Sequence, residues 1–355
     1  MTTISAAYYE AIDLLKAMIT CPSFSREEKE VADLIENYLL KAGLNPCRTG
    51  NNVWAASPDF DAAKSTLLLN SHIDTVKPAE GWTKDPFHPE MTDERLYGLG
   101  SNDAGASVVS LMQAFLVLIE KKQPCNLVFL ASCEEEISGK NGLELALNDI
   151  PTPAFAVVGE PTDMNPAVAE KGLMVLDCTA NGKSGHAARN EGDNAIYKAL
   201  RDIEWISAYQ FPDFTELLGK VKMSVTMIEA GTQHNVIPDV CRFVVDVRSN
   251  ECYSNEEVFR IIDKHTLSEV KPRSFRLNSS RISLDHPFVR RALLLGKQAF
   301  GSPTLSDQAL MPFPSVKIGP GDSARSHTAD EYILLGEIRE AIEYYIKLLD
   351  GLEIA

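Results

Sequence analysis

A histidine and an aspartate, His72 and Asp74, close the apolar run STLLLNSHID at residues 65–74. An imidazole at a strand end with a carboxylate two residues on suits a metal ligand whose neighbour fixes its orientation. A histidine merely satisfied by that neighbour gives the same letters. Asp103 follows in LYGLGSNDAGA, where a glycine-loosened turn opens an apolar helix. It is an N-cap by residue type and equally a carboxylate able to hold a cation. Glu134, Glu135 and Glu136 come directly after LVFLAS. Three adjacent carboxylates at the mouth of a buried strand repel one another. Without a cation at least one should have a strongly raised pKa; they are either a solvated loop run, or one binds a metal and one is free as a base. Glu160 follows a further apolar run in VVGEPTD, and His327 lies in KIGPGDSARSHTADEY. Imidazole and carboxylate ligands without cysteine suit Zn²⁺, Co²⁺ or Mn²⁺. A shared carboxylate with a spare glutamate suits two-metal hydrolysis. The G-x-G and GPGD loops lack the further residues of a dinucleotide or phosphate-loop fingerprint.

The elements around these residues are those of an α/β sheet. The runs at 65–74, 126–136 and 155–162 are continuously apolar and turn polar at their ends. Such strands belong to a sheet covered by helices on both faces, and its ligands bind beyond the carboxyl ends of the strands. Ser25 and Glu28 have the spacing of a capping box for a helix ending at Gly43. From residue 172 to about 281 the pattern changes to strand, helix, two strands, helix and a last strand at SFRLNS. Ser254 and Glu257 cap its second helix. This βαββαβ order is the split unit of the ferredoxin-like fold. It reads as a small domain (172–281) inserted into a larger one (1–171 plus 282–355), which resumes with a helix from PFVRRALLLGKQAFG and ends on another.

The chain has 355 residues, with Lys plus Arg at 34, Asp plus Glu at 50 and a formal charge of −16. That length and 45% apolar content support a sizeable core. The acidic balance argues against nucleic acid or an anionic membrane as partner. No apolar run approaches the roughly 18 residues of a membrane helix. The first residues carry Glu10 and Asp13 and read as an amphipathic helix, not a signal peptide. Seven dispersed cysteines with no CxxC pair point to a reducing cytoplasm.

Taken together, HIDTV, DPFHPE with LYGLGSNDAGA, SCEEEISG, VVGEPTD, SGHAA, the stretch from GTQHNVIPD to DVR, and KIGPGDSARSHTADEY resemble a family of dinuclear-metal amidohydrolases. Its members include acetylornithine deacetylase, succinyl-diaminopimelate desuccinylase, aminoacylase and glutamate carboxypeptidase. The resemblance runs from residue 72 to 332. It implies a zinc-peptidase-like α/β/α catalytic domain and an inserted ferredoxin-like dimerisation domain. By the same resemblance His72, Asp103 and Glu160 would hold one ion, and Asp103, Glu136 and His327 the other. Glu135 would be the general base and Asp74 would support His72. The family has Asp-Glu-Glu where this chain has Glu134-Glu135-Glu136. Aligning Glu134 with that Asp puts Ser138 and Gly139 in register; slipped by one, base and ligand would be Glu134 and Glu135. Leu99 and Ala104 stand where the family often has Arg and Lys.

The resemblance further implies a homodimer in which His186 enters the partner's site as an oxyanion donor, with Asn235 and Arg248 near the substrate. The implied reaction is hydrolysis of the N-acyl amide of a small amino acid. Within the family, GPGDSARSHTADEY most resembles the N-acetylornithine deacetylases, which implies arginine biosynthesis. N-succinylornithine and succinyl-diaminopimelate are the alternative substrates, with dipeptides behind them. A binding protein on the same fold would lack a ligand or the base, and all are present.

Overall fold

A computed structural model describes residues 3–189 and 191–354, which divide into two compact units. The first runs to Val168 and includes Ile282–Phe300 and the chain from Ser306 onward; the second comprises Ala169–Arg281 and Gly301–Leu305.

The first unit is built on the strand Thr66–His72, all of it buried. It pairs in parallel with Asn126–Ser132 on one side and Phe155–Val158 on the other. Ser315–Lys317 adds in parallel beyond Phe155–Val158. The antiparallel strands Asn52–Ala56 and Ala167–Glu170 flank this parallel core. The sheet is apolar on both faces because both are covered. Helix Ala106–Leu118, buried along nearly its whole length, packs on one face with Ile4–Ile19 and Leu335–Leu349 against it. The rings of Phe115 and Phe129 meet there at 6.1 Å. Truncating either to alanine should cost about 3–5 kcal/mol. On the other face Leu68, Val128 and Ala156 join Leu143, Ala146 and Ile150.

Register sets the height of the strand ends. His72 pairs with Ser132, and Asn70 with Val158, so residues 72, 132 and 160 finish level. The chain leaves Thr66–His72 first to one side and then to the other. The carboxyl end of that strand is therefore the switch point at which open α/β sheets bind ligands. A glycine keeps the ends close: a Cβ at Gly159 would lie 3.1 Å or less from Leu111, Ser107 and Ser71.

The second unit has a four-stranded antiparallel sheet in the spatial order Lys222–Ala230, Val240–Arg248, Met174–Asn181, Glu269–Pro272. With helices Ala195–Ala208 and Asn255–His265 it is ferredoxin-like. Met174–Asn181 alternates buried and exposed positions, as a one-sided sheet requires. Ser254 and Glu257 form the expected capping box.

Three local expectations fail. The last strand is Glu269–Pro272, not SFRLNS; Val270 points into the core, whereas Phe275 reaches it from an irregular segment. PFVRRALLLGKQAFG stays helical only over Pro287–Leu294, and Phe300–Ser302 is a strand. Ser25 and Glu28 do not cap a helix: Lys29–Lys41 begins without a side-chain cap. Their side chains are recruited elsewhere, as described below.

Candidate metal centre

The level strand ends, with the loops that carry Asp103 and His327, bring five of the sequence-chosen residues together. His72 Nδ1 lies 2.9 Å from the carbonyl oxygen of Asp74. That bond takes a proton on Nδ1 and aims Nε2 outward, 3.2 Å from Asp103 Oδ1 and 3.7 Å from Glu160 Oε1. On the far side of Asp103, His327 Nε2 lies 3.6 Å from Oδ2 and 3.0 Å from Glu136 Oε2. Two groups result, His72–Asp103–Glu160 and Asp103–Glu136–His327; within each, one atom per residue lies within 4.8 Å of the others. Asp103 belongs to both and offers a different oxygen to each histidine.

The charges of the site are crowded and mostly buried or half-buried, an arrangement that fits cations. Burial pushes the Glu160 carboxyl up to about 8 against the pull of His72, and Asp103 adds repulsion. Burial also holds Glu135 well above the usual carboxylate range; His72 opposes this, while Glu160 and Asp307 reinforce it. Burial works against charge on His72, yet Asp103 and Asp74 raise its imidazole well above the ordinary value. His327 rises to about 9, chiefly because of the Glu136 carboxylate. Carboxylates converging around two imidazoles fit divalent ions with mixed nitrogen and oxygen ligation.

Glu134 and Glu135 take different positions. Glu134, at φ +54°, folds back so that its Oε1 accepts from Asn141 Nδ2 at 2.9 Å. A Cβ on Gly139 would lie 1.9 Å from Glu134 Oε2, so this packing requires glycine there. Glu135 is in neither ligand group, although His72, Glu160 and Glu136 lie close enough to act on its charge.

Asp74, already chosen from the sequence, has partners there that the sequence did not reveal. The buried Asp74 accepts the main-chain N–H groups of Glu135 and Glu136 at 3.0 and 3.1 Å, and the Ser25 hydroxyl at 2.7 Å. Glu28, fully buried, accepts from the main-chain N–H groups of Arg26 and Glu134 and from Asn51. Asp307, also buried, takes bonds from Asn70 and Ser132 on the two central strands. Nothing in the local sequence TLSDQALM, half of it polar, marks Asp307 as a buried acid.

The remaining candidates lie in the second unit. His186 is exposed on a two-residue strand paired with Val236–Ile237, and the Asn235 carbonyl accepts from Ala187 at 3.0 Å. His186 Nδ1 accepts from the main-chain N–H of Ala188 at 3.1 Å, which places the neutral ring's proton on Nε2. Arg248 is not beside them. It ends the strand Val240–Arg248, whose other end follows Asn235, roughly 26 Å away at about 3.3 Å per residue. Its Nε and Nη2 are engaged by Asp246 at 2.8 and 3.1 Å.

Residues 68–351 match Peptidase family M20/M25/M40. The chain belongs to this family. It is a metal-dependent amidohydrolase of the M20 group with an α/β domain and a second, ferredoxin-like domain. It is 25% identical to a succinyl-diaminopimelate desuccinylase of Cereibacter sphaeroides, covering 96% of this chain and 98% of that one. It is 27% identical to an acetylornithine deacetylase of Proteus mirabilis, covering 97% of each. In fold this M20 chain is similar to a tripeptidase of Staphylococcus aureus, with TM-score 0.78, 19% identity and coverage of 96% and 97%. It is similar as well to a dinuclear metal-binding M20 peptidase of Bacillus subtilis, with TM-score 0.74, 18% identity and coverage of 98% and 100%.

Proposed function

We propose that this chain hydrolyses the N-acyl amide of a small amino acid, with N-acetyl-L-ornithine as the preferred substrate and N-succinyl-L-ornithine as its variant. The observation that carries the reaction type is the pair of ligand groups sharing Asp103, with Glu135 close by and outside both. His72, Asp103 and Glu160 would hold one ion, and Asp103, Glu136 and His327 the second. Zn²⁺ is the proposed metal, with Co²⁺ and Mn²⁺ as alternatives. When bound, the ions supply Lewis acidity at the acyl carbonyl and make a water acidic near neutral pH.

The chain's own residues do the rest. Glu135 takes the proton of the attacking water and passes it to the leaving amine nitrogen. Its raised pKa in the bare site is of the kind that suits a group that must both accept and return a proton. Asp74 holds His72 and the Glu135–Glu136 turn in place. His186, with its proton on Nε2, would donate to the oxyanion. Asn235 would contact the substrate beside it, and Arg248 is proposed for the substrate carboxylate, whose plane matches its fork. That last role requires Arg248 to release Asp246.

His186 is proposed to act in the site of a second copy. Tyr197 and Leu200 on one helix are 72% and 50% exposed, and Met227 and Ile228 on the edge strand Lys222–Ala230 are 65% and 56% exposed. An open strand edge flanked by apolar side chains is a surface that pairs with another chain, which supports a homodimer through the second unit. The cytoplasm is the proposed compartment. It is supported by seven cysteines, none of them in a disulfide.

The acyl group and amino acid are tested by assaying N-acetylornithine, N-succinylornithine, N-succinyl-diaminopimelate and dipeptides with Zn²⁺ and Co²⁺. The highest kcat/KM on N-acetylornithine supports arginine biosynthesis. The highest on N-succinyl-diaminopimelate moves the chain to the other named branch, and activity on dipeptides alone makes it a peptidase.

A further inference from the structure

The Asp103 loop and the His327 segment are joined by a side chain to which no role has yet been given. Arg95–Tyr97 pairs with Tyr332–Leu334 as antiparallel strands. One more main-chain bond, from Gly98 N–H to the Glu331 carbonyl at 3.1 Å, extends the pairing. Beyond that point the loop turns away, through Gly100 at φ +75°, and its N–H groups lose any strand partner. The Glu331 side chain takes them over. Its Oε1 accepts from the main-chain N–H of Asn102 at 2.8 Å and of Asp103 at 2.9 Å, and its Oε2 from Gly100 at 3.1 Å. Glu331 itself is only 2% exposed.

A carboxylate buried this deeply is costly, and three N–H bonds are what makes it tolerable. The arrangement also has a geometric consequence. Glu331 stands four residues from His327 and bonds directly to the main chain of Asp103. The distance between the two ligands is therefore spanned by one short, multiply bonded link. A second tie runs parallel to it: Asn102 Nδ2 donates to the Asp322 carbonyl at 3.1 Å and lies 3.3 Å from Ser326 Oγ.

We infer that Glu331 is a positioning residue that sets the second ion group, Asp103–Glu136–His327, by locking the Asp103 loop to the segment that carries His327. The inference rests on the two-ion reading above. Its specific content is selectivity. His72 ends one central strand and Glu160 follows another, Phe155–Val158, by two residues, so both keep their places without Glu331, whereas His327 has no strand of its own to hold it opposite Asp103.

The test is Glu331→Gln, studied as the full-length chain stripped of metal and titrated with Co²⁺. The glutamine carbonyl can still accept from Asn102 and Asp103, but its amide group would face the Gly100 N–H, donor against donor. Binding of the first Co²⁺ should stay within about threefold of wild type. The second should weaken by about 10- to 100-fold, the range for partners that orient metal ligands, with a changed visible spectrum for that equivalent. Glu331→Asp keeps the charge and should recover part of the affinity. A purely structural role would lower the melting temperature and leave both affinities and the Co²⁺ spectrum unchanged; that result in a folded variant overturns the inference. If Glu331→Gln does not fold, Glu331→Asp decides, because it keeps the acid and shortens the link to the Asp103 loop by one methylene. A weakened second ion supports the inference, and unchanged binding of both ions overturns it. A wild-type chain that takes up fewer than two ions instead refutes the two-ion reading itself.

Discussion

Asp74 accepts the main-chain N–H of Glu135 through Oδ1 at 3.0 Å. With its other oxygen on Glu136 and its carbonyl on His72, one buried residue orients a proposed ligand of each ion and the proposed base. Asp74→Asn would turn an amide donor toward one of those N–H groups. An unsatisfied buried donor costs about 1–3 kcal/mol, so calorimetry should show a lower melting temperature. Loss of such a supporting partner should lower kcat by about 10- to 100-fold. A kcat equal to wild type would show that the bond does not position the base.

The three glutamates should separate by phenotype. Glu135→Gln should retain both ions and lose about 10²-fold or more in kcat, within the range of a general base. Glu136→Gln should weaken one ion. Glu134→Gln, whose change falls on the Asn141 contact, should alter stability more than chemistry. Metal content and steady-state kinetics of the three proteins check this. Loss of turnover with metal retained in Glu134→Gln, rather than in Glu135→Gln, would mean that the roles are shifted by one residue.

Much of this site was legible because it lies where apolar strands turn polar. The runs ending at His72, Glu136 and Glu160 carry both the sheet signal and the ligand signal, and parallel register makes their ends level. The ferredoxin-like order was legible from alternation and from the Ser254–Glu257 box. What could not be read were contacts set by tertiary packing. Ser25 and Glu28 have the spacing of a cap, yet their side chains bond to Asp74 and Glu134, far away in sequence. Asp307 and Glu331 are acids whose importance lies in being buried, and no local periodicity reports that. The misplaced last strand has the same origin: SFRLNS alternates well enough, but Val270 fills the core position that closes the sheet.

The metal-free protein should lose stability as pH rises. Glu160 and Glu331 are both pushed up to about 8, by burial first and then by the Asp103 charge. Between the ordinary carboxylate range near 4.5 and about 8, the unfolded chain has released protons that the folded chain keeps, so rising pH favours unfolding. His327, raised to about 9 chiefly by Glu136, acts in the same direction. Its stabilisation is complete below its unfolded pKa near 6.5 and is lost as pH rises through 9. Calorimetry of chelated protein from pH 5 to 9 should show a falling melting temperature, and ion binding at pH 7 should release protons. A flat or rising profile would contradict these ionisation states.

Action of His186 across a dimer can be tested by complementation. His186→Ala should fold, dimerise and bind metal, and lose about 10²–10³ in kcat, the scale of one oxyanion donor. Mixed with Glu135→Gln, it should regain activity. A heterodimer has one site with both groups intact, and random exchange makes about half of the dimers mixed, so recovery should approach roughly a quarter of wild type. Verified exchange without recovery would rule out action in trans.

The most direct test of the two-ion account is hydrolysis of N-acetyl-L-ornithine by the chelated protein, followed as Zn²⁺ or Co²⁺ is added back in measured equivalents. The account predicts no turnover in chelator, a fold that survives metal removal, and activity that climbs until two ions per chain are bound. Full turnover in strong chelator, with metal removal confirmed on the same sample, would contradict it.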